Sequence, residues 1–416
     1  MRDILSQRPL RFVFVANMVS MIGSGMNSAA VAWYILKVTH SEMALGTFAV
    51  LQTVPAMIML PFTGVVIDRE DRRVLVMWLD AIRAFIIVTV AIMAFRGTVQ
   101  VWQLYLMNTL VAAGFWMFWP TITALIQELT PAGQFVQSNS FLLAGVQGGF
   151  LIAGAIVGFV YDHIGLGGVL ILDVSTYVVS FVCYFWVRRG KHIVLHSDEL
   201  KADIVAAESQ FQRFWREMRE GLHFLRDHRA VVMLGISWAL FLGAMVTGVV
   251  VTPSLSDRVF HAGAKGYGWL NAGWGSGAFF SVLYSSQIIA WLGGRRTVAF
   301  SMALLAACIV FAPISAFFWL AIAIYFVMGS ARGTGGVAMN TSLMEMVPKH
   351  LMGRVQNAFY FFGTGLQLVL AVVVGTVAYK VSLVVAFAIL GCVYLLSFLA
   401  SAIPIPEKVQ EEVAAD

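Results

Sequence analysis

The sequence predicts an all-α membrane protein of twelve transmembrane helices in two six-helix halves. Hydrophobic residues make up 60% of its 416 residues and charged residues only 12%, a composition that a soluble domain of this size could not bury in one core. Twelve mostly apolar segments follow one another, each of about 20 or more residues, the length that crosses about 30 Å of hydrocarbon. The longest polar stretch, Arg188 to Arg229, separates six segments from the next six.

The positions of the apolar runs define the predicted organisation. The twelve segments lie at residues 10–36, 43–67, 74–95, 99–126, 136–161, 168–187, 230–255, 266–291, 297–313, 318–345, 352–379 and 382–402. We therefore expect an N-terminal half over 1–190, a cytoplasmic linker over 191–229, a C-terminal half over 230–403 and a cytoplasmic tail over 404–416.

The linker carries an apolar stripe at helical spacing. The stripe consists of Phe211, Phe214, Met218, Leu222 and Leu225, and arginines lie on the opposite face. We expect a basic amphipathic helix that lies on the membrane surface and connects the two halves, with binding of a partner as the alternative.

Basic residues concentrate on one side of the predicted helices. An even number of helices places both termini on the same side, and twenty of the 27 lysines and arginines lie there. Basic loops mark the cytoplasmic face of membrane proteins, so we expect cytoplasmic termini and a multi-pass protein of the bacterial inner membrane. This distribution accounts for the net charge of +5 without a nucleic-acid partner.

The two halves resemble each other in sequence after their fourth helices. Residues 127–131 read QELTP and residues 344–348 read MEMVP, with the acid and the proline at the same offset. A weak repeat at this half-chain spacing is typical of transporters built from duplicated six-helix units.

The loop between the second and third segments carries the most specific motif. Residues 64–73 read GVVIDREDRR and resemble the cytoplasmic loop motif of the major facilitator superfamily: glycine, three residues, Asp-Arg, one residue, then Gly-Arg-Arg or Gly-Arg-Lys. Asp71 replaces the last glycine of the motif. Together with the lead-in PFTG at 61–64 and with Asp80 and Arg83, the motif is similar to that of one branch, which contains enterobactin-type siderophore exporters and macrolide efflux proteins.

The resemblance implies a secondary active transporter of the major facilitator fold. Such a protein exports a small amphipathic solute, such as a drug, a macrolide or a siderophore, by alternating access, with H⁺ as the usual coupling ion. The fifth segment lacks the Gly-Pro-x-x-Gly-Gly of drug–proton antiporters, and its small residues Gly145, Gly149, Gly154 and Gly158 favour a packing role instead. A lysophospholipid flippase of the same fold is the alternative function.

The loop motif also has a physical interpretation of its own, as a conformational latch on the cytoplasmic side. Gly64 lets a neighbouring helix approach, Asp68 is placed to cap the next helix, and Arg72 with Arg73 can reach carboxylates on adjacent helices. The candidate latch residues are Gly64, Asp68, Arg69, Arg72, Arg73, Glu128 as a partner of the arginines, and Glu345 as a partner of Arg295 or Arg296. The alternative is that these basic residues only orient the protein in the membrane.

The resemblance implies, further, that the first, fourth, seventh and tenth segments line a central substrate cavity. Their candidate cavity residues are Asn17, Ser24, Asn27, Trp116, Trp119, Trp238, Met245, Tyr325, Arg332 and Asn340. Aromatic and methionine surfaces with a few amides suit an amphipathic substrate better than a sugar. Packing of helix against helix is the alternative role for each aromatic residue.

Acidic residues within apolar segments are costly and are therefore functional candidates. Asp80 and Arg83 lie three residues apart on the third segment, so we expect a mutual pair. For Asp173, about one turn into the sixth segment and near the outer interface, we expect hydrogen bonding to Ser175 or Thr176. A role of Asp80 or Asp173 in proton coupling is the alternative.

Arg332 is the basic residue of the tenth segment. It lies roughly 24 Å along the helix from Pro348, at 1.5 Å per residue, and therefore near mid-membrane. No acidic residue is its neighbour in sequence, so we expect it to point into the cavity, with a direct role toward the substrate or in coupling.

Other classes of function find little support in the sequence. The eight histidines include no close pair within an apolar segment, and a nucleophile with a base or a metal cluster would be needed for an enzyme. Cys183, Cys308 and Cys392 are widely spaced within apolar runs, which favours neither disulfides nor a metal site. We expect no cofactor, and we expect a monomer in contact with lipids, a small amphipathic substrate and protons.

Overall fold

The computed structural model is all-helical over the part of the chain that it describes. The described residues are 8–59, 67, 70–130, 135–187, 212, 215–216, 218–226, 228–245, 247–348 and 351–403. The contacts divide the chain into two compact units. The first unit comprises Met1–Val38 and Leu51–Phe211, and the second comprises Thr39–Val50 and Gln212–Asp416.

Among the residues that the structure describes, five long helices precede the linker and seven α-helices follow it. The first five are α1 Arg8–Thr39, α2 Glu42–Met59, α3 Arg72–Phe95, α4 Val101–Leu129 and α5 Phe135–Phe185. In the first unit, α3 packs against both α4 and α5, and the core contains Leu10, Phe118, Leu125 and Tyr184 among its buried side chains.

Seven α-helices follow the linker in the second unit. They are α6 Arg229–Met245, α7 Thr247–Ser254, α8 Gly263–Leu292, α9 Gly294–Phe311, α10 Phe318–Met346, α11 Met352–Lys380 and α12 Leu383–Ala402. The main packing partners are α8 with α10, α9 with α10 and α12, and α6 with α11 and α12.

Ten helices of the described chain are long and apolar enough to cross a membrane. The sequence predicts twelve, and that count stays a prediction. The predicted fifth and sixth segments are joined in α5, where Gly165 adopts φ 65° and interrupts the helical backbone. The predicted eighth segment corresponds to α8, whose composition does not place it among the ten.

The predicted seventh segment corresponds to α6 and α7, which lie on either side of residue 246, a residue outside the described part of the chain. The structure has α6 and α7, followed directly by a π-helical turn at Leu255–Val259. Pro253 lies inside α7, and proline removes a backbone donor from the helical ladder.

The cap of α3 differs from the expectation. Asp71 is the N-cap, and its side chain accepts hydrogen bonds from the backbone N–H groups of Arg73 at 3.0 Å and Val74 at 3.3 Å. The expectation that Asp68 caps this helix is therefore wrong, because Asp71 is one residue before the first helical turn and Asp68 is too early. Asp71, which departs from the loop motif, thus has a structural role.

The linker helix packs onto the start of α11 within the second unit. Residues 218–226 are helical, and Glu220 forms an ion pair with Arg354 at 2.7 Å. Of the predicted apolar stripe, Met218 and Leu225 are buried and Leu222 is 41% exposed. Phe211 and Phe214, with most of the linker and the tail over 404–416, lie outside the described residues.

Two glycines bring α8 and α10 close together. A Cβ added at Gly277 would overlap the carbonyl oxygen of Phe326, and one added at Gly329 would overlap that of Trp274. Since each glycine faces the backbone of the opposite helix, the two helices touch without intervening side chains, as small residues allow in membrane helix pairs.

We expect Gly329→Ala to destabilise the second unit. The added methyl group would force α8 and α10 apart, and overpacking of this kind costs about 1–3 kcal/mol. Gly336→Ala is the matched control, because Gly336 is on the same helix and a Cβ there would meet nothing within 4 Å. Thermal unfolding of the purified protein in detergent is the measurement. Equal unfolding temperatures for the two variants would contradict the close backbone contact.

Candidate functional site

A buried ion pair lies between α3 and α5 in the first unit. Asp80 accepts a hydrogen bond at its Oδ1 from Nη2 of Arg83 at 2.5 Å, and at its Oδ2 from the hydroxyl group of Ser180 at 2.6 Å. The exposed fractions of the two charged side chains are 0% and 1%. The predicted contact between Asp80 and Arg83 is present, while the partner on α5 could not be predicted.

Aromatic rings surround the guanidinium of Arg83. Its Cζ lies 4.6 Å from the ring centroids of both Phe118 and Tyr177, and its Nε donates to the carbonyl oxygen of Leu79 at 3.2 Å. The absent side chain of Gly114 leaves room for the Arg83 methylene groups, which are 3.1 Å from an added Cβ. Cation–π contacts of this kind stabilise a desolvated cation.

Asp173 on α5 is bound to α1. Its Oδ2 accepts a hydrogen bond of 2.7 Å from Nδ2 of Asn27, and its Oδ1 accepts one of 3.4 Å from the hydroxyl group of Thr176. Thr176 is thus one of the two predicted partners, whereas Ser175 donates to the carbonyl oxygen of Leu172 instead. Asp173 is completely buried, and its contact with Asn27 is one that the sequence analysis missed.

Polar residues follow one another at helical spacing on α1 and face into the first unit. They are Asn17, Ser20, Ser24 and Asn27. Asn17 and Ser20 are completely buried, and Asn27 is 6% exposed. Ser24 is partly exposed and lies 3.0 Å from the hydroxyl group of Tyr177. The assignment of Asn17, Ser24 and Asn27 to a substrate cavity therefore remains a proposal.

The two predicted tryptophans of α4 are partly buried. Trp119 packs against the core of the first unit, and Trp116 makes an edge contact with Phe115 at 6.1 Å between ring centroids. Their position allows a packing role, and their place in a cavity stays a prediction.

Arg332 on α10 lies among sulfur and aromatic groups in the second unit. Its Nε contacts the sulfur of Met245 on α6 at 3.4 Å, and its Cζ lies 4.8 Å from the ring centroid of Trp274 on α8. Among the described residues no carboxylate forms an ion pair with Arg332. These contacts bring α6 and α8 to a partly buried guanidinium, and Tyr394 of α12 interacts with it electrostatically. Of the other predicted cavity residues, Met245 is the one that contacts Arg332.

The other predicted residues of this unit have partners of their own. The hydroxyl group of Tyr325 lies 3.0 Å from that of Thr252, and the side chain of Asn340 accepts a hydrogen bond of 3.5 Å from Gln356. Trp238 is 5% exposed and makes an edge contact with Tyr360. Tyr325 and Trp238 are therefore packed within the unit.

The described part of the predicted latch joins α3 to α4 and α5. Nη1 of Arg72 lies 3.6 Å from Oε2 of Glu128 and 3.3 Å from the carbonyl oxygen of Ala124. Arg73 instead donates to the last carbonyl groups of α5, those of Tyr184 at 2.7 Å and Phe185 at 2.6 Å. The expected pairing of Glu128 with Arg72 is present, and Gly64, Asp68 and Arg69 lie outside the described residues.

The equivalent contact in the second unit uses carbonyl groups as well. Arg295 donates to the carbonyl oxygens of Ser401 and Ile403 at the end of α12. Among described residues no ion pair joins Glu345 to Arg295 or Arg296, and the place of Glu345 in the latch stays a prediction. A cation near helix-terminal carbonyl groups is favourable, and it satisfies Arg295 without Glu345, which is exposed.

A further charged contact was not predicted. Glu42 in the first turn of α2 is completely buried and forms an ion pair of 2.9 Å with Arg258 of the π-helical turn. Arg258 also donates to the carbonyl oxygen of His40. No local spacing connects these residues, so only the fold brings them together.

Comparison with known proteins identifies the family. A family model described as Major Facilitator Superfamily matches residues 13–366. The chain belongs to this superfamily. It is therefore a membrane transporter and not an enzyme, and the resemblance seen in the loop motif is confirmed.

Relatives and solved structures agree with this membership of the Major Facilitator Superfamily. The chain is 23% identical over 377 residues to the uncharacterized MFS-type transporter YkuC of Bacillus subtilis, covering 88% of this chain and 85% of that one. It is 23% identical over 249 residues to macrolide efflux protein A of Streptococcus pyogenes, covering 60% of this chain and 59% of that one.

Two solved structures share the fold. The nucleoside transporter NupG matches with a TM-score of 0.71 and 14% identity, over 94% of this chain and 98% of that one. A bacterial homologue of the iron transporter ferroportin in an inward-facing state matches with a TM-score of 0.73 and 14% identity, over 95% and 99%. At these identities the likeness shows the fold alone.

Proposed function

We propose that this superfamily member is a secondary active transporter that exports a small amphipathic solute by alternating access, with a proton as the coupling ion. Relatives named macrolide efflux proteins, in Streptococcus pyogenes and Enterococcus faecalis, support efflux in general. The side chains around Arg332 support the nature of the solute.

The surroundings of Arg332 carry the proposal for the solute. A guanidinium has five N–H donors, and the Met245 sulfur is a weak acceptor for one of them. Placing an arginine at the centre of a membrane costs at least about 2.5–3.5 kcal/mol on insertion scales. An acidic group on the solute would offset this cost, since it would accept charge-assisted hydrogen bonds from the guanidinium.

The apolar neighbours of Arg332 favour an amphipathic body for this solute. The Trp274 ring and the Met245 side chain offer polarisable surface that adapts to flat or irregular molecules. A solute with an aromatic body and an acidic group, such as a catecholate siderophore, fits both features. The other predicted cavity residues stay candidate lining, each within its own unit.

We further propose twelve transmembrane spans with both termini in the cytoplasm of a bacterial cell. The two spans beyond the ten come from α5, which Gly165 divides, and from α8, whose 30 residues measure roughly 45 Å at 1.5 Å per residue. The distribution of basic residues supports cytoplasmic termini in the inner membrane. A monomer is sufficient for this mechanism.

Alternating access needs contacts that hold one conformation and then break. We assign this role to the cytoplasmic latch, in which Arg72 and Glu128 form a partly exposed pair with side chains 20% accessible. Pairs of this kind contribute only about 0–1 kcal/mol, which suits a contact that must open in each cycle. Gly64, Asp68, Arg69, Arg73 and Glu345 are the further residues of the proposed latch.

Transport by the reconstituted full chain tests the proposed function. Liposomes would be tested with a catecholate siderophore, a macrolide and lysophosphatidylcholine, under an imposed pH gradient and without one. We expect the catecholate to cross faster than in protein-free liposomes and to accumulate when the gradient is applied. Movement of lysophosphatidylcholine alone would replace solute export by lipid flipping, and movement of no compound would contradict the proposal.

We expect Arg332→Ala to weaken binding of the catecholate. Losing a hydrogen bond to a charged group costs about 1.5–3 kcal/mol, or roughly 10- to 150-fold in affinity. Arg332→Lys should retain part of the affinity because it keeps the charge. Quenching of tryptophan fluorescence in detergent is the measurement, with Trp274 as the nearby reporter.

Arg96→Ala is the matched control for this series, since Arg96 is exposed and its loss also removes one positive charge. Thermal unfolding is recorded on the same samples. Wild-type affinity in Arg332→Ala would remove this residue from the binding site, and loss of the folded state would assign it to structure.

A further inference from the structure

The charged cluster of the first unit contains one more carboxylate than it has cations. Asp80 and Arg83 from α3 and Asp173 from α5 interact electrostatically with one another, and all three are at most 1% exposed. If both carboxylates are ionised, the cluster has a net negative charge within the membrane. An uncompensated charge in such a place is strongly unfavourable.

The guanidinium is committed to Asp80. Arg83 donates to this carboxylate at 2.5 Å, and the second oxygen of Asp80 accepts from Ser180. Both oxygens of Asp80 therefore have strong donors, which is the arrangement expected for a permanently ionised counter-ion.

Among the described residues, the hydrogen-bond partners of the Asp173 carboxylate are neutral. Its donors are the amide of Asn27 and the hydroxyl group of Thr176. The charged and titratable groups that face it are Arg83 and Asp80 from α3 and Tyr177 from its own helix. α1 contributes the Asn27 amide and no ionisable partner.

The sequence of α1 makes room for this carboxyl group. A Cβ at Gly23 would overlap both Oδ1 of Asp173 and the hydroxyl group of Thr176. One helical turn later Asn27 binds the other oxygen. A glycine and an amide on one face of α1 thus form a close-fitting recess around Asp173, and this geometry is independent of the charge argument.

We propose that Asp173 is the group that binds and releases the coupling proton, with Asn27 as its hydrogen-bonding partner and Asp80 as the fixed counter-ion of Arg83. The proton adds to Oδ1 and converts the carboxylate into a neutral carboxyl group, and its departure restores the carboxylate. The cluster then alternates between neutral and singly negative. This inference deepens the proposed proton-coupled export, because it names the site of coupling.

The hydrogen bond between Ser24 and Tyr177 marks the accessible edge of the recess. Ser24 is partly exposed, and its hydroxyl group lies 3.0 Å from that of Tyr177, one turn along α5 from Asp173. The two hydroxyl groups thus join α1 to α5 beside the recess.

Infrared spectroscopy of the purified full chain tests the proton site without any substrate. Exposed carboxyl groups, with reference pKa values of about 4, are ionised at neutral pH, so a carbonyl-stretching band of a protonated carboxyl reports a buried group. We expect this band in the wild type and in Asp162→Asn, which alters an exposed residue of the same helix. Asp173→Asn should lack it. A wild type without the band, or its persistence in Asp173→Asn, would overturn the proposal.

Transport then tests coupling. Asp173→Asn should still exchange the catecholate across liposomes at equal pH, but a pH gradient should no longer drive its accumulation. Gradient-driven accumulation by Asp173→Asn would overturn the coupling role. If the wild type shows the infrared band but moves no compound, the proposed function fails while the proton site stands.

A double variant separates coupling from mere packing. Asn27→Asp combined with Asp173→Asn exchanges the carboxyl group and the amide across the same hydrogen bond. We expect this folded variant to regain both the infrared band and the gradient-driven accumulation that Asp173→Asn lacks. A folded double variant without either signal would contradict a proton site formed by this pair.

Discussion

A charge within the hydrocarbon of a membrane needs compensation, and this requirement organises the polar contacts of both units. In the first unit Arg83 is compensated by Asp80 and by two aromatic rings. In the second unit Arg332 has a methionine sulfur and a tryptophan ring. Arg83 is paired with a carboxylate, whereas Arg332 has no carboxylate partner among the described residues, and this contrast is the basis for proposing a structural role for the first and substrate binding for the second.

The same requirement shapes the ends of the helices. Arg73 at the start of α3 binds the last carbonyl groups of α5, and Arg295 at the start of α9 binds those of α12. Each arginine satisfies acceptors that have no partner within their helix. The two contacts occupy corresponding positions before and after the linker, which agrees with the weak repeat in the sequence and with duplicated halves.

Local patterns made the helices and the nearest contacts predictable. Apolar length located the helices, although it could not show the π-helical turn after α7. The pair of Asp80 and Arg83 was predictable because its partners are three residues apart on one helix face. Asp71 could not be singled out as the cap from the sequence, because Asp68, the acid of the family motif, also precedes the helix.

Contacts between distant parts of the chain could not be derived in this way. Asn27 and Asp173 are 146 residues apart, and only the packing of α1 on α5 brings the amide to the carboxyl group. The burial of Glu42 against Arg258 has the same origin. The sequence picked out Asn17, Ser24 and Asn27 on α1, but spacing along one helix cannot show which neighbour these side chains face.

Photo-crosslinking is the most direct test of whether the solute binds at Arg332. A photoactivatable catecholate would be bound to the purified full chain, irradiated, and its attachment sites mapped by mass spectrometry. We expect attachment to peptides that contain Met245 or Trp274. Excess unlabelled catecholate should suppress this attachment, and Arg332→Ala should abolish it. Competable attachment confined to other helices, or unchanged labelling in Arg332→Ala, would contradict binding at Arg332.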